Sequence, residues 1–320
     1  MKPRILLSRL WPSPVIARLQ HRYEVQVDPD DRPLTRETFI AAMRDFDALC
    51  PTVTDRIGAE IAGAAGARVR IIANYGAGTE HIDLEAARTN GLAVTNTPGV
   101  LTRATAEIAI LLILMAARRA GEGERELRDG AWSGWRPTHL LGTGIEGRVL
   151  GLIGFGRIGQ ETARMARDGL GMRIAYHSRQ PNVDPEWKDA VYHGSLESLL
   201  AQSDVVSLHC PGGPATRHLI NQERLKAMKP SAILINTARG SVVDEEALCS
   251  ALSSGVIAAA GLDVYEQEPF VYPGLKGLQN AVLLPHLGSA TLPTRIAMGM
   301  KTADNLDAFF DGALLPDRVA

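Results

Sequence analysis

The sequence predicts an α/β protein in which two successive segments each alternate strand with helix. From Val149 onward, short apolar runs alternate regularly with helix-compatible stretches. The first hundred residues alternate in the same way on their own. A last helical stretch, Thr291 to Phe310, follows the second alternation and is read as packing back on the first. The expected fold is therefore two Rossmann-like domains. The larger is a doubly wound parallel sheet, and the smaller is flavodoxin-like and discontinuous. The expected boundaries are 1–99 with 290–320 for the smaller domain and 100–289 for the larger.

Length and composition suit this reading. With 320 residues there is enough chain for two full cores. The chain is 45% hydrophobic and 22% charged, an ordinary globular balance. A net charge of -2 gives no electrostatic reason to expect a nucleic-acid partner. Cys50, Cys210 and Cys249 are sparse, odd in number and without metal-ligand spacing, so reduced thiols and a cytoplasmic location are expected, with no metal. The apolar run after Met1-Lys-Pro-Arg is too short for a signal peptide, and Ile108 to Ala117 is too short to span a bilayer, so no membrane association is expected.

In the first segment, strands are expected at Arg4–Ser8, Tyr23–Val27, Asp47–Cys50, Arg68–Asn74 and Ala93–Asn96. A helix is expected over Thr35–Arg44 with Thr35 as its N-cap, and another over His81–Ala87 after the small-residue turn Tyr75-Gly76-Ala77-Gly78-Thr79. Thr97-Pro98-Gly99 breaks the chain. One long helix is then expected from Ala104 to about Asp129. Its first half is apolar nearly all round except for Glu107, which requires cover on most sides. Trp132 and Trp135 follow in a loop context and read either as interface anchors or as caps on the local core.

In the second segment, strands are expected at 149–153, 173–177, 204–209, 231–236, 258–264 and 281–284, and helices at 158–168, 196–201, 222–228 and 245–253. The strands are continuously apolar, as in parallel sheets covered on both faces. The first runs directly into Gly154-Phe155-Gly156-Arg157-Ile158-Gly159. In this pattern Gly154 permits a tight turn, Gly156 lets backbone approach a pyrophosphate, and Gly159 lets the helix lie close on the strand. The amides of Arg157 and Ile158 then open a helix N-terminus, which favours an anion. A glycine turn can serve packing alone, but strand before and helix after favour a dinucleotide.

Ligands of such sheets bind beyond the carboxyl ends of the strands. Three titratable residues fall there: Arg239 after the strand ending at Asn236, Glu268 after the strand ending near Val264, and His286 after the strand ending at Leu284. Singly, each has a bland explanation, as a helix cap, a solvated loop charge or a structural hydrogen-bonder. Together they form what a hydride-transfer site needs. A cation holds a carboxylate and polarises a carbonyl, an imidazole moves the hydroxyl proton, and a carboxylate orients the imidazole.

The chain resembles the D-isomer-specific 2-hydroxyacid dehydrogenases, and within them the glyoxylate/hydroxypyruvate reductases. The matching stretches are Asn74–Leu84, Asn96–Val100, the Trp132–Trp135 loop, Gly154–Gln160, Asn236–Gly240, Gly261–Val264 with Glu268-Pro269, and Pro285–Thr291. The resemblance implies Arg239, Glu268 and His286 as the catalytic set. It implies that the amides of Ala77 and Gly78, together with Arg239, bind the substrate carboxylate, with Val53 in the loop that shapes the pocket. It also implies that Asp263 holds the nicotinamide carboxamide, that Cys210, Thr237, Ala238 and Gly288 line the cofactor, and that the helix after Pro98 is a dimerisation helix, giving a homodimer. Function follows as reduction of a small 2-oxo acid, such as glyoxylate or hydroxypyruvate, to the D-2-hydroxy acid. The alternative is a dinucleotide-sensing, corepressor-like binding protein on the same fold; the presence of all three catalytic residues weighs against it.

The sequence departs from the family pattern in two places. Cys210-Pro211-Gly212-Gly213-Pro214 replaces a Cys/Thr-Pro-Leu-Thr-Pro loop. The strand after the glycine turn ends Tyr176-His177-Ser178-Arg179, where an NAD-preferring site carries Asp or Glu to accept from the ribose 2′-hydroxyl. A hydroxyl beside a guanidinium suits a 2′-phosphate, so NADP(H) is favoured over NAD(H).

Overall fold

The computed structural model describes residues 2–320. The chain divides into two units, Met1–Leu101 with Ser289–Ala320, and Thr102–Gly288. The first unit is built on β1 (Arg4–Leu7), β2 (Glu24–Gln26), β3 (Ala48–Cys50), β4 (Ile71–Ala73) and β5 (Ala93–Thr95). They form one parallel sheet in the order β2-β1-β3-β4-β5. One face packs Leu6, Leu49, Ile72 and Val94 against Phe39, Met43 and Ile61, and the other packs Ile5, Leu7 and Ile71 against Val15, Leu19, Met298 and Leu306. Alternate residues of each strand thus serve opposite cores, which is why the strands read as continuously apolar. The final helix, Leu292–Phe310, returns to this unit, and Thr291 caps it by accepting from Thr294 N–H at 3.3 Å.

The second unit holds β6 (Val149–Ile153), β7 (Arg173–His177), β8 (Val191–Tyr192), β9 (Val205–Leu208), β10 (Ile233–Asn236), β11 (Ala259–Leu262) and β12 (Ala281–Leu283). These seven strands are parallel in the order β12-β11-β10-β9-β6-β7-β8. The chain winds outward from β6 to β8, then crosses to β9 and winds the other way. The loops after β10, β11 and β12 therefore leave the same end of the sheet from three neighbouring strands.

Several element boundaries differ from the sequence expectation, each for a tertiary reason. The helix expected over His81–Ala87 runs Leu84–Thr89 and is capped by Asp83. The backbone just before it is committed elsewhere: His81 C=O accepts from Ile57 N–H and Asp83 N–H donates to Ile57 C=O. The single helix expected from Ala104 to Asp129 is two, Thr102–Ala117 and Ala120–Arg128, with Arg119 in the left-handed region (φ 54) between them. The Ala117 carbonyl accepts from Thr143 N–H at 2.8 Å, so it cannot continue the helix. Gly142 permits that approach, because a Cβ there would lie 2.4 Å from the same oxygen. The helix Ser13–Arg22 and the two-residue strand β8 are additional to the expected elements; the helix has its signal in Pro14 at its start and in buried Val15 and Leu19 four residues apart. Thr35 caps Arg36–Asp45 as expected, accepting from Thr38 N–H at 3.2 Å.

The apolar helix Thr102–Ala117 buries Ala109, Leu112, Ile113 and Ala116 in its own unit but leaves Leu111 42% exposed. Its inner face comes very near β11. A Cβ on Gly261 would sit 2.9 Å from Leu112 Cβ and 3.0 Å from Ile235 Cδ1. Gly261→Ala should therefore lower stability by about 1–3 kcal/mol through overpacking. Urea denaturation of the variant beside the parent measures this, and an unchanged midpoint contradicts it.

Candidate active site

The glycine turn does three separable things. Gly154 stands at φ 92, and a Cβ there would lie 2.7 Å from the Cys210 amide nitrogen, so both the turn and the approach of the Leu208–Cys210 backbone require glycine. Gly159 lets the helix Arg157–Leu170 lie on the turn, since a Cβ would meet Gly154 C=O at 2.5 Å. Gly156 precedes the helix without any side-chain cap, and a Cβ there would meet nothing within 4 Å. Its open side and the amides of Arg157 and Ile158 are the surface an anion would use. The Phe155 side chain turns inward, stacked on Tyr176 with ring centroids 4.1 Å apart, so only its backbone can serve a ligand.

β7 is hydrogen-bonded to β6, so Ser178 and Arg179 leave the sheet beside the glycine turn. Ser178 donates its hydroxyl to Gln180 C=O at 2.6 Å and retains acceptor capacity. Arg157 and Arg179 are exposed, and among the described residues neither has an acidic partner. Thr237 is buried, and its hydroxyl has no hydrogen-bond partner among the described residues. An unpaired buried hydroxyl, an uncapped helix start and a side-chain-free approach at Gly156 together fit a dinucleotide.

Glu268 and His286 meet in the loops that follow β11 and β12. His286 Nδ1 is 2.7 Å from Glu268 Oε2, and Glu268 Oε1 accepts from Tyr265 N–H at 3.1 Å. An ionised carboxylate only accepts, so Nδ1 carries a hydrogen and Nε2 is left for chemistry. Burial pushes the Glu268 carboxyl up. The His286 hydrogen bond and charge, the Tyr265 amide and the Arg239 charge outweigh it, and the group ends below the ordinary carboxylate value. Arg239 donates through Nη1 to Ala238 C=O at 2.6 Å, and Asn236 Nδ2 holds the Arg239 carbonyl at 2.9 Å.

His286 has φ 55, a strained conformation for a residue with a Cβ. Asp263 imposes it. Its carbonyl accepts from His286 N–H at 2.9 Å, Oδ1 from Leu287 N–H at 2.6 Å, and Oδ2 from Gly288 N–H at 2.8 Å. Burial raises the Asp263 carboxyl against the pull of those amides and of His286. Each oxygen already accepts one amide and keeps one lone pair for another donor.

In the first unit, the loop carrying Ala77 and Gly78 is held by carboxamides. Asn74 Nδ2 donates to Gly76 C=O at 3.0 Å and to Gly78 C=O at 2.9 Å, while Asn96 Nδ2 donates to Ala77 C=O at 2.7 Å. Among the described residues, the amides of Ala77 and Gly78 have no acceptor. Val53 packs directly on this loop, its Cγ1 2.7 Å from where a Gly76 Cβ would stand. Its own turn is tied by Asp55, which accepts from the Ser8 hydroxyl and from Thr52 N–H at 2.7 Å.

The sequence reading gave no role to Asn74, Asn96, Asp55 or His209. A carboxamide ending an apolar run, as in Ile71-Ile72-Ala73-Asn74, was the available signal. His209 lies against the glycine turn, bonded to Ser207 Oγ at 2.9 Å, and desolvation pushes it down to about 3, so it stays neutral. Cys210, beside it, is pushed up to about 11 by burial and is no thiolate nucleophile.

The family model "D-isomer specific 2-hydroxyacid dehydrogenase, NAD binding domain" matches residues 110–288. The glyoxylate reductase of Thermococcus onnurineus is 46% identical over 100% of this chain and 96% of its own length. Among solved structures, an NADPH-dependent glyoxylate/hydroxypyruvate reductase from Sinorhizobium meliloti, in complex with NADP and malonate, superposes with a TM-score of 0.87 at 36% identity, covering 100% of this chain and 97% of that one. The D-mandelate dehydrogenase of Rhodotorula graminis superposes with a TM-score of 0.88 at 32% identity, covering 100% and 98%.

A carboxylate depressed in the folded state contributes stability above its unfolded value and loses it as the pH falls through the folded one. Glu268→Gln should therefore cost about 1–3 kcal/mol near neutral pH. The deficit should shrink as the pH is taken below the ordinary value of 4.5. Urea titrations across that range measure it, and a pH-independent deficit would contradict the ionised pair.

Proposed function

The chain belongs to the D-isomer specific 2-hydroxyacid dehydrogenase family, and on that premise we propose that it reduces a small 2-oxo acid, of the glyoxylate or hydroxypyruvate kind, to the D-2-hydroxy acid with NADPH in preference to NADH. The observation that carries the reading is the 2.7 Å bond from His286 Nδ1 to Glu268, with the Arg239 charge acting on the same carboxylate.

When bound, the nicotinamide supplies the hydride. The chain's own residues do the rest. His286 holds a proton at Nε2 and delivers it to the oxygen that becomes the hydroxyl. Glu268 keeps the ring in the tautomer that exposes Nε2 and stabilises its positive form. Arg239 is assigned to the substrate carboxylate and to polarising the carbonyl, and the same anion chemistry is assigned to the amides of Ala77 and Gly78, with Val53 limiting substrate size. Gly154, Phe155 backbone, Gly156, Arg157 and Ile158 would hold the pyrophosphate, Thr237, Ala238, Cys210 and Gly288 would line the cofactor, and Asp263 would meet the carboxamide with the lone pairs its loop leaves over.

The preference for NADPH rests on Ser178 and Arg179 where a carboxylate would repel a 2′-phosphate. A homodimer is proposed from the exposed apolar groups Leu111, Leu127 (61%), Trp135 (82%) and Leu141 (65%). No described helix is long and apolar enough to cross a membrane. A cytoplasmic location is proposed from the three free thiols.

Three outcomes test this. Purified protein should oxidise NADPH with glyoxylate or hydroxypyruvate faster than NADH at equal concentration; turnover favouring NADH would retire the phosphate argument but not the reaction. Arg179→Ala should raise KM for NADPH by about tenfold and leave NADH little changed. His286→Ala should lower kcat by about a hundredfold or more while cofactor binding persists, and an unchanged kcat would remove His286 from the proton step.

A further inference from the structure

We propose that Glu245 is a positioning residue for the proton-transfer pair, acting through the loop that carries Glu268. The inference rests on the reductase reading above.

Glu245 opens the helix Glu245–Ser253 and is only 7% exposed, a rare state for a glutamate. The helix does not need it there, because Asp244 is already the N-cap, accepting from Ala247 N–H at 3.0 Å. Glu245 instead accepts from the backbone N–H of Glu266 at 2.8 Å, and the backbone amide of Tyr272 also acts on its carboxylate. Those two amides bracket Glu268, so one buried carboxylate gathers both sides of the loop.

The loop depends on this tie. Glu266, Gln267 and Phe270–Pro273 border a pocket of about 370 Å³, also lined by His218, Asp244 and Glu246, and Phe270 is 75% exposed. Val271 and Tyr272, at the far end of the loop, pack against the apolar core, so what Glu245 adds is the tie at Glu266 N–H, next to Glu268. On its other side the Tyr265 carbonyl lies against Gly240, where a Cβ would come within 2.1 Å of that oxygen. Arg239 and Glu268 therefore ride on backbones in direct contact, and Glu245 keeps the second in register with the first. The charged groups around Glu245 are Asp244 and Glu246 on its own helix, Glu266 and Glu268 on the loop, and His218 and Arg217, which hold Glu266 at 2.9 and 2.7 Å.

The test compares the pH dependence of 2-oxo acid reduction in the parent, Glu245→Ala, Glu245→Gln and the exposed control Glu246→Ala. Reduction consumes a proton, so activity is expected to fall as the pH rises, and moving Glu268 away from the ring is expected to bring that fall to lower pH. Glu245→Ala should lower kcat by about ten- to a hundredfold. Its KM should change little, and its alkaline limb should move to lower pH by about half a unit or more. Glu245→Gln keeps one acceptor oxygen but turns its NH₂ toward the second donor, so it should show a smaller loss and a smaller shift in the same direction. If the alanine variant does not fold, the glutamine variant is read alone. A parental kcat and limb in both Glu245 variants, a kcat loss with no movement of the limb, or an equal effect in Glu246→Ala would each overturn the inference. A parent protein that turns over normally while the variants match it retires this inference alone, whereas a parent inactive on every 2-oxo acid with either cofactor retires the reductase reading and this inference with it.

Discussion

The site in the second unit depends on how Asp263 holds the turn after β12. Three consecutive residues donate their backbone N–H groups to one aspartate, two of them to its side chain. A histidine at φ 55 costs of order 1–3 kcal/mol and persists only where its surroundings over-determine it. Charge-assisted hydrogen bonds from Leu287 and Gly288 can offset that cost, because each is worth about 1.5–3 kcal/mol. The strained backbone carries the His286 ring to Glu268. A relaxed turn would leave two titratable groups on neighbouring loops without a fixed relation.

The Glu268–His286 pair illustrates how competing terms decide a protonation state. Burial alone would favour a neutral acid at Glu268, which would have no charge to offer the imidazole. The His286 hydrogen bond and charge, then the Tyr265 amide and the Arg239 guanidinium, tip the balance toward the carboxylate. Glu245, less favoured by cations and lying near Glu266 and Glu268, is pushed the other way by burial. Two glutamates of one neighbourhood are thus shifted in opposite directions. The difference lies in their partners: a cationic environment for one, backbone amides opposed by like charges for the other.

At the same carboxyl edge of the sheet, after β6, small residues matter for what they omit. Gly154 and Gly159 admit backbone into spaces that a Cβ would fill, whereas Gly156 faces open space at a helix start. Two glycines therefore build the turn and the third leaves it accessible. The free guanidiniums of Arg157 and Arg179 lie near the ends of adjacent strands, where the anionic end of a dinucleotide would meet them.

Much of this was legible in the sequence because it is local. Continuous apolar runs with helices between them specify parallel strands covered on both faces, and the glycine spacing specifies a turn. Arg239, Glu268 and His286 could be placed because a residue just beyond a parallel strand must emerge at the carboxyl edge. What the tertiary structure alone decided concerns partners distant along the chain. Asp263 reaches Gly288 across 25 residues, Glu245 reaches Glu266 across 21, and Asn96 reaches Ala77 across 19. The break after Ala117 belongs with them, since Thr143 takes a carbonyl that the helix pattern assigned to the next turn. Hydrophobic periodicity records which face a residue presents, but carries no record of which remote amide will meet a buried oxygen. The sequence by itself determined the two parallel sheets and the edge at which Arg239, Glu268 and His286 emerge, and packing determined which polar atoms hold that edge.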